Sequence, residues 1–120
     1  MRITKNVLKR KPRFTGAATS VAAAGSAQSS ATALTGSINS VTASDDAKGV
    51  ILPAKYAAGD MVFVMNTVSN KTLKVYPQSG GDINNGSDDA AITMRAAQAA
   101  LFISLGSENW AAIYDTDTTA

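Results

Sequence analysis

The stretch Met61-Val62-Phe63-Val64-Met65-Asn66-Thr67-Val68-Ser69-Asn70-Lys71-Thr72-Leu73-Lys74-Val75-Tyr76-Pro77 decides the fold. It opens with a continuous apolar run of strand length, read as the central strand. Ser69-Asn70-Lys71-Thr72 follows as a hairpin turn, because Ser and Asn offer the backbone local hydrogen bonds. Leu73 to Pro77 then alternates, with Leu73 and Val75 on one face, the period of a half-buried strand. Two strands joined by turn residues begin an all-β meander.

The same pattern continues in both directions. Upstream, Tyr56 to Asp60 is a turn, and Gly49-Val50-Ile51-Leu52-Pro53 is a short apolar strand that proline ends. Thr32, Leu34, Ile38 and Val41 sit among polar neighbours, which predicts two short strands at about 28–35 and 37–43. Downstream, Ser79-Gly80-Gly81 turns, Asp82-Ile83-Asn84 is a short extended piece, and Asn85-Gly86 is a strong turn signal. Ala91 to Met94 is a further strand. Arg95 to Leu101 has high helix propensity. Turn signals every 8–12 residues on both sides nevertheless favour a strand from Ala99 to Leu105, with Leu101, Ile103 and Leu105 in phase. Gly106 to Asn109 turns into a last strand, Trp110 to Tyr114.

The fold class expected is therefore all-β: a small antiparallel β-sandwich or barrel-like domain carrying an extended basic N-terminal arm. The expected organisation is an arm over 1–14, an Ala/Ser/Thr/Gly-rich linker over 15–27, a β domain over 28–114 and a flexible tail over 115–120. The 120 residues suit one domain. Hydrophobic residues make up 45% of the chain, but many are alanine and bury little area. So modest a core predicts that identical subunits bury further surface between them.

Charge is segregated. Arg2, Lys5, Lys9, Arg10, Lys11 and Arg13 stand in residues 1–14 without an acid, giving +6. The remaining residues hold five basic side chains against nine acids, giving −4 and a total of +2. An arm of one sign on a body of the other suggests an anchor for an acidic surface. Protein docking, binding to nucleic acid phosphates and simple solubilisation are all open to such an arm. Phe14 is its single aromatic, so base stacking has little support, and no nucleic-acid-binding motif accompanies it. Pro12 breaks any helix there.

The chain contains no cysteine and no histidine. Disulfides, thiolate metal sites, Ser-His-Asp and Cys-His catalysis and His-ligated zinc are thereby excluded. The cluster Asp82-Ile83-Asn84-Asn85-Gly86-Ser87-Asp88-Asp89 has calcium-type oxygens. It misses the EF-hand spacing, and a solvated turn demands the same residues. Asp45/Asp46 and Asp88/Asp89 are adjacent pairs, which in extended chain point to opposite faces and cannot flank one glycosidic bond. No phosphate-binding glycine motif is present. No apolar run is long enough to span a membrane, and Ala17 to Ala24 imitates a secretion signal without its apolar core. The reading is of a non-enzymatic chain with no cofactor, no metal and no membrane partner.

From Gly25 to Ile113 the chain resembles a domain of bacteriophage virion proteins of the head-fibre or capsid-decoration (cement) kind. The resembling residues are GSAQSSATAL (Gly25 to Leu34), INSVT (Ile38 to Thr42), GVILPA (Gly49 to Ala54) and AGDMVFVMN (Ala58 to Asn66). They continue with LKVYPQSGGDIN (Leu73 to Asn84) and AITMRAAQAALFI (Ala91 to Ile103), and end at Trp110. Asp88, Asp89 and Arg95 are less apolar than that pattern. The resemblance implies a compact β domain, trimeric, displayed on the capsid surface of a virion, and carries over no catalytic residue. The arm lies outside it.

Together these observations predict a structural virion protein that decorates or cements a capsid. Its partners would be the major capsid protein, through the arm, and itself, as a homo-trimer. Val62, Val64, Leu101, Ile103 and Trp110 are the residues expected at the subunit interface or in the core. The alternatives are a nucleic-acid-associated protein using the same arm, and a host-facing carbohydrate-binding module with Trp110 or Tyr76 as the platform.

Overall fold

The computed structural model describes residues 18–115. The basic arm and the last five residues of the expected tail lie outside them. The described chain forms ten strands: β1 (Ala18–Ala22), β2 (Thr32–Ala33), β3 (Ile38–Thr42), β4 (Gly49–Ile51), β5 (Met61–Asn66), β6 (Leu73–Tyr76), β7 (Asp82–Ile83), β8 (Ile92–Met94), β9 (Ala99–Gly106) and β10 (Asn109–Ile113). One 3₁₀ turn, Gln28–Ser30, precedes β2. The all-β expectation holds.

The strands build two sheets, one of six in the order β1-β3-β5-β9-β10-β7 and one of four in the order β2-β4-β6-β8. Successive strands alternate between the sheets as far as β9. From Ala18 to Tyr76 the chain therefore winds as a coil, each strand lying parallel to the strand two before it. Ile38 faces Phe63 in one sheet and Val50 faces Val75 in the other, both steps of 25 residues. The chain then reverses. β8 runs antiparallel to β6, β9 antiparallel to β5 and β10 antiparallel to β9, while β7 joins the far edge parallel to β10.

This corrects the purely antiparallel sandwich, because the sheets are mixed. Turn residues mark where the chain changes direction but do not say which strand it meets next. Ser69 to Thr72 carries the chain from one sheet into the other rather than folding β5 back on itself. The turn from β9 to β10 is a true hairpin, with positive φ at Gly106, Ser107 and Glu108. The expected linker is also corrected in part. Ala18–Ala22, within 15–27, is the edge strand of the larger sheet and pairs residue for residue with β3. The strand expected over 28–35 shrinks to Thr32–Ala33. The competing helix is absent, since Arg95 to Gln98 is a turn with Ala97 at φ 59°.

The core lies between the sheets. Val41, Val62, Val64, Ala100, Phe102 and Trp110 enter it from the six-stranded sheet, and Val50, Leu52, Leu73, Val75 and Met94 from the other side. Val62 and Val64 are fully buried within a single chain, so they are core and not an interface. They also set the phase of β9, because residues opposite each other in a sheet share a face. Val62 pairs with Phe102 and Val64 with Ala100, which turns Leu101, Ile103 and Leu105 outward. The three residues share one face, as expected, and that face is the outer one.

Buried polar groups hold the ends of the coil. Asn66, the last residue of β5, is completely buried. Its Nδ2 donates to the carbonyls of Lys71 (2.8 Å) and Arg95 (3.1 Å), and its Oδ1 accepts from the Val68 N–H (3.3 Å). The buried Asn39 of β3 donates to the carbonyls of Gly36 and Phe63 and accepts from the Thr19 hydroxyl at 2.9 Å, joining β1, β3 and β5. Asn66→Ala would strand two carbonyls and an N–H in the interior and should cost about 2–4 kcal/mol. Urea unfolding is expected to show a lowered midpoint with an unchanged slope, and an unchanged midpoint would contradict this role.

Candidate interaction surfaces

The loop that carries Asp82, Asp88 and Asp89, three of the nine acidic side chains, braces itself. The Asp89 carboxylate accepts the Gly80 N–H at 2.7 Å and lies 3.3 Å from Gln28 Nε2, which also donates to the Pro77 carbonyl at 2.7 Å. Asn84 and Asn85 both take positive φ, 56° and 60°, and the Gly86 N–H closes the turn on the Ile83 carbonyl. The Asn84 side chain exchanges two hydrogen bonds with the backbone of Ala112, so it extends the pairing of β7 with β10. Gly81 sits so close to the β9–β10 hairpin that a Cβ there would lie 1.9 Å from the Glu108 carbonyl oxygen. The side chains of Asp89 and Asn84 therefore hold this loop in place. Among the described residues no three of His, Cys, Asp and Glu converge on a possible cation site.

The Asp45/Asp46 pair diverges as well. Asp45 accepts the Ala47 N–H and stands 3.8 Å from Lys48. Asp46 Oδ1 accepts the Thr72 N–H at 2.9 Å, with the Thr72 hydroxyl at 3.3 Å. The bond from the Thr72 backbone holds the Asp46 carboxyl below its ordinary range. Desolvation opposes it, while the Thr72 hydroxyl and the charges of Lys71 and Lys74 add to it. Elsewhere Lys74 donates to Thr93, and Arg95 pairs with Asp115 at 3.1 Å. No described helix is long and apolar enough to cross a membrane.

The residues expected to carry function separate into three groups. Arg2, Lys5, Lys9, Arg10, Lys11 and Arg13 lie outside the described residues. Val62, Val64 and Trp110 are interior. Trp110 is 1% exposed, with its ring centroid 5.8 Å from that of Tyr56, so it fills the core and offers no platform to a sugar. Tyr76 is half-buried, its ring close against Gly49. Leu101 and Ile103, by contrast, belong to the outer face of the six-stranded sheet.

That outer face is the most unusual surface of the described chain. One row across it runs Ile38, Phe63, Leu101, Ile113, and a second runs Met61, Ile103, Ala111. Ile113 is 68% exposed and Leu105 is 59% exposed. None of β1, β3, β5, β9 and β10 contains a charged residue. Towards the β1 edge the side chains become small, and Ser20, Val21, Ala22, Ser40 and Thr42 line a shallow groove of about 260 Å³. Reading β5 as a core strand missed Met61, Phe63 and Met65 on this face. The signal was present in the run itself, since a strand apolar at every position has two apolar faces.

The bond to Asp46 makes a testable statement about acid. A carboxylate whose folded pKa is lowered stabilises fully above the ordinary carboxylate range, and this is lost as pH falls through the lowered value. In urea unfolding, wild type should be more stable than Asp46→Asn at neutral pH, and the gap should narrow as pH drops below about 4. A gap independent of pH would refute the assignment.

Compared with models of protein families, with curated proteins and with solved structures, the chain matches none of them.

Proposed function

We propose that this chain is a structural virion protein, a non-enzymatic β module displayed on a phage capsid and anchored there by its basic arm. The observation that carries the reading is the segregation of charge, +6 in residues 1–14 against −4 in the remainder. Long-range attraction would bring the arm to an acidic surface, and the oppositely charged body would not compete for it. Two further observations support a structural role. The chain lacks histidine and cysteine, Asp46 and Asp89 brace loops, and no three acids converge among the described residues. The resemblance of Gly25 to Ile113 to capsid-decoration domains adds the virion context, and with it the major capsid protein as the arm's partner.

The same six cations favour a second reading, binding to nucleic acid. The two separate by their salt response and their target. Phosphate binding through several cations falls by orders of magnitude between about 50 and 200 mM salt. The carbohydrate reading loses its Trp110 platform to the core, and Tyr76 is half-buried against Gly49.

Deleting residues 1–14 should leave the β signature of the circular dichroism spectrum intact and abolish co-sedimentation with capsids of the virus. Full occupancy by the truncated chain would overturn the anchor. A gel shift with duplex DNA that disappears on the same deletion, without capsid binding by the full chain, would instead establish the nucleic-acid reading.

A further inference from the structure

We infer that the outer face of the six-stranded sheet is covered in solution by the same face of a second copy of this chain. The inference is independent of the virion reading, because it rests on the described surface alone.

Isolated soluble chains rarely expose a contiguous apolar patch of more than a few hundred Å². Here five adjacent strands, from β1 to β10, present a face with no charged side chain in any of them. At about 4.8 Å between strands and 3.3 Å per residue, five strands of about five residues cover roughly 400 Å² in projection. Pairing two such faces would remove at least about 800 Å² from water. Because side-chain relief exceeds projection, the total would reach about 1,000 Å², where specific interfaces begin. The area therefore suits a weak to moderate pair, dissociating on the order of micromolar.

Other occupants fit less well. The basic arm would lay six cations on five strands that hold no carboxylate, and uncompensated burial of charge is costly. The charges of the body lie off these five strands, Asp82 of β7 standing beyond them at the far edge of the sheet. Lys74 stands in the four-stranded sheet, Asp46, Lys48 and Lys71 stand in the loops beside it, and Arg95 and Asp115 pair at the rim. A neutral apolar face is complementary to another neutral apolar face, and the nearest supply is an identical chain.

The symmetry follows from the strand order. A twofold axis lying between the faces along β5 places Phe63 against Phe63 of the second copy and Ile38 against its Leu101. It also sets β10, with the exposed Ile113, over the small residues of β1 and β3. One self-complementary patch used once closes at two copies. A threefold ring of heterologous contacts needs a second patch, and the charged side of the molecule does not supply one.

Sedimentation equilibrium of the full chain from about 1 to 100 µM spans the range in which an interface of this size dissociates. Wild type should show a monomer–dimer equilibrium. Ile113→Glu, at the most exposed large apolar position, and Leu101→Glu should each weaken it at least tenfold while circular dichroism and Trp110 fluorescence stay unchanged. The chain has no cysteine, so engineered thiols report without background. Phe63→Cys should form a disulfide-linked dimer under mild oxidation, and Lys74→Cys on the opposite sheet should not. A monomer throughout the range, a trimer, an unchanged dimer in the Ile113→Glu chain, or equal cross-linking at both cysteines would each overturn the inference.

Discussion

The side chain of Asn66 sits where the two halves of the fold must agree. A coil of parallel strands has to leave one sheet and enter the other at every step, and each departure strands backbone groups near the core. At the end of β5, the strand that carries the central valines, one buried carboxamide satisfies those groups. It holds the carbonyl of Lys71 on the way to β6 and that of Arg95 on the way to β9. The crossing out of the larger sheet and the return into it are thereby fixed to one point. Backbone bonds reinforce it, from Asn66 to Gln98 and from Ala97 to Val68. Asn39 does the same work between β1, β3 and β5. A sandwich with few large side chains needs such fully satisfied polar anchors, because its apolar packing alone specifies little.

Most strands were legible in the chain because their signals are local. The apolar run of β5, the alternation of β6 and the punctuation by Asn85-Gly86 and Gly106 place elements within a residue or two of where they lie. Partnership was not legible. Whether Ser69 to Thr72 closes a hairpin or crosses between sheets depends on Arg95, more than twenty residues away, and no short window contains both. Which side of the sheet β9 turns to the core was not legible for a related reason. Leu101, Ile103 and Leu105 outweigh Ala100, Phe102 and Ser104 in apolar bulk, yet pairing with Val62 and Val64 turns the lighter set inward. β1 was hidden by composition, since Ala-Thr-Ser-Val-Ala has little to bury and gains its place by pairing with β3.

The candidate site was legible to a different degree. Segregated charge is a property of composition and needs no fold to be seen, so the arm stands out at once, whereas the apolar face needed the structure. Its residues were visible as hydrophobes, and hydrophobes in a small domain are first assigned to the core. Only the strand order shows that Ile38, Phe63, Leu101 and Ile113 form one row on the side away from the core.

The roles proposed for the neutral face and the basic arm rest on different physics, and each would strengthen the other. Screening limits what six cations can do alone, and their attraction falls quickly beyond about 8 Å at physiological salt. A pair of chains joined through the neutral face presents two such arms on one body. With the first arm of such a pair bound, the second would bind from an effective concentration set by its tether, and the joint affinity would rise by about 10²–10⁴ without a new contact. Self-association through an uncharged surface is also insensitive to the salt that weakens the arms. The uncharged strands thus answer the question that the small core raises. Apolar residues a chain of this size could have used inside stand outside, where the proposed pairing would both bury them and double the proposed anchor.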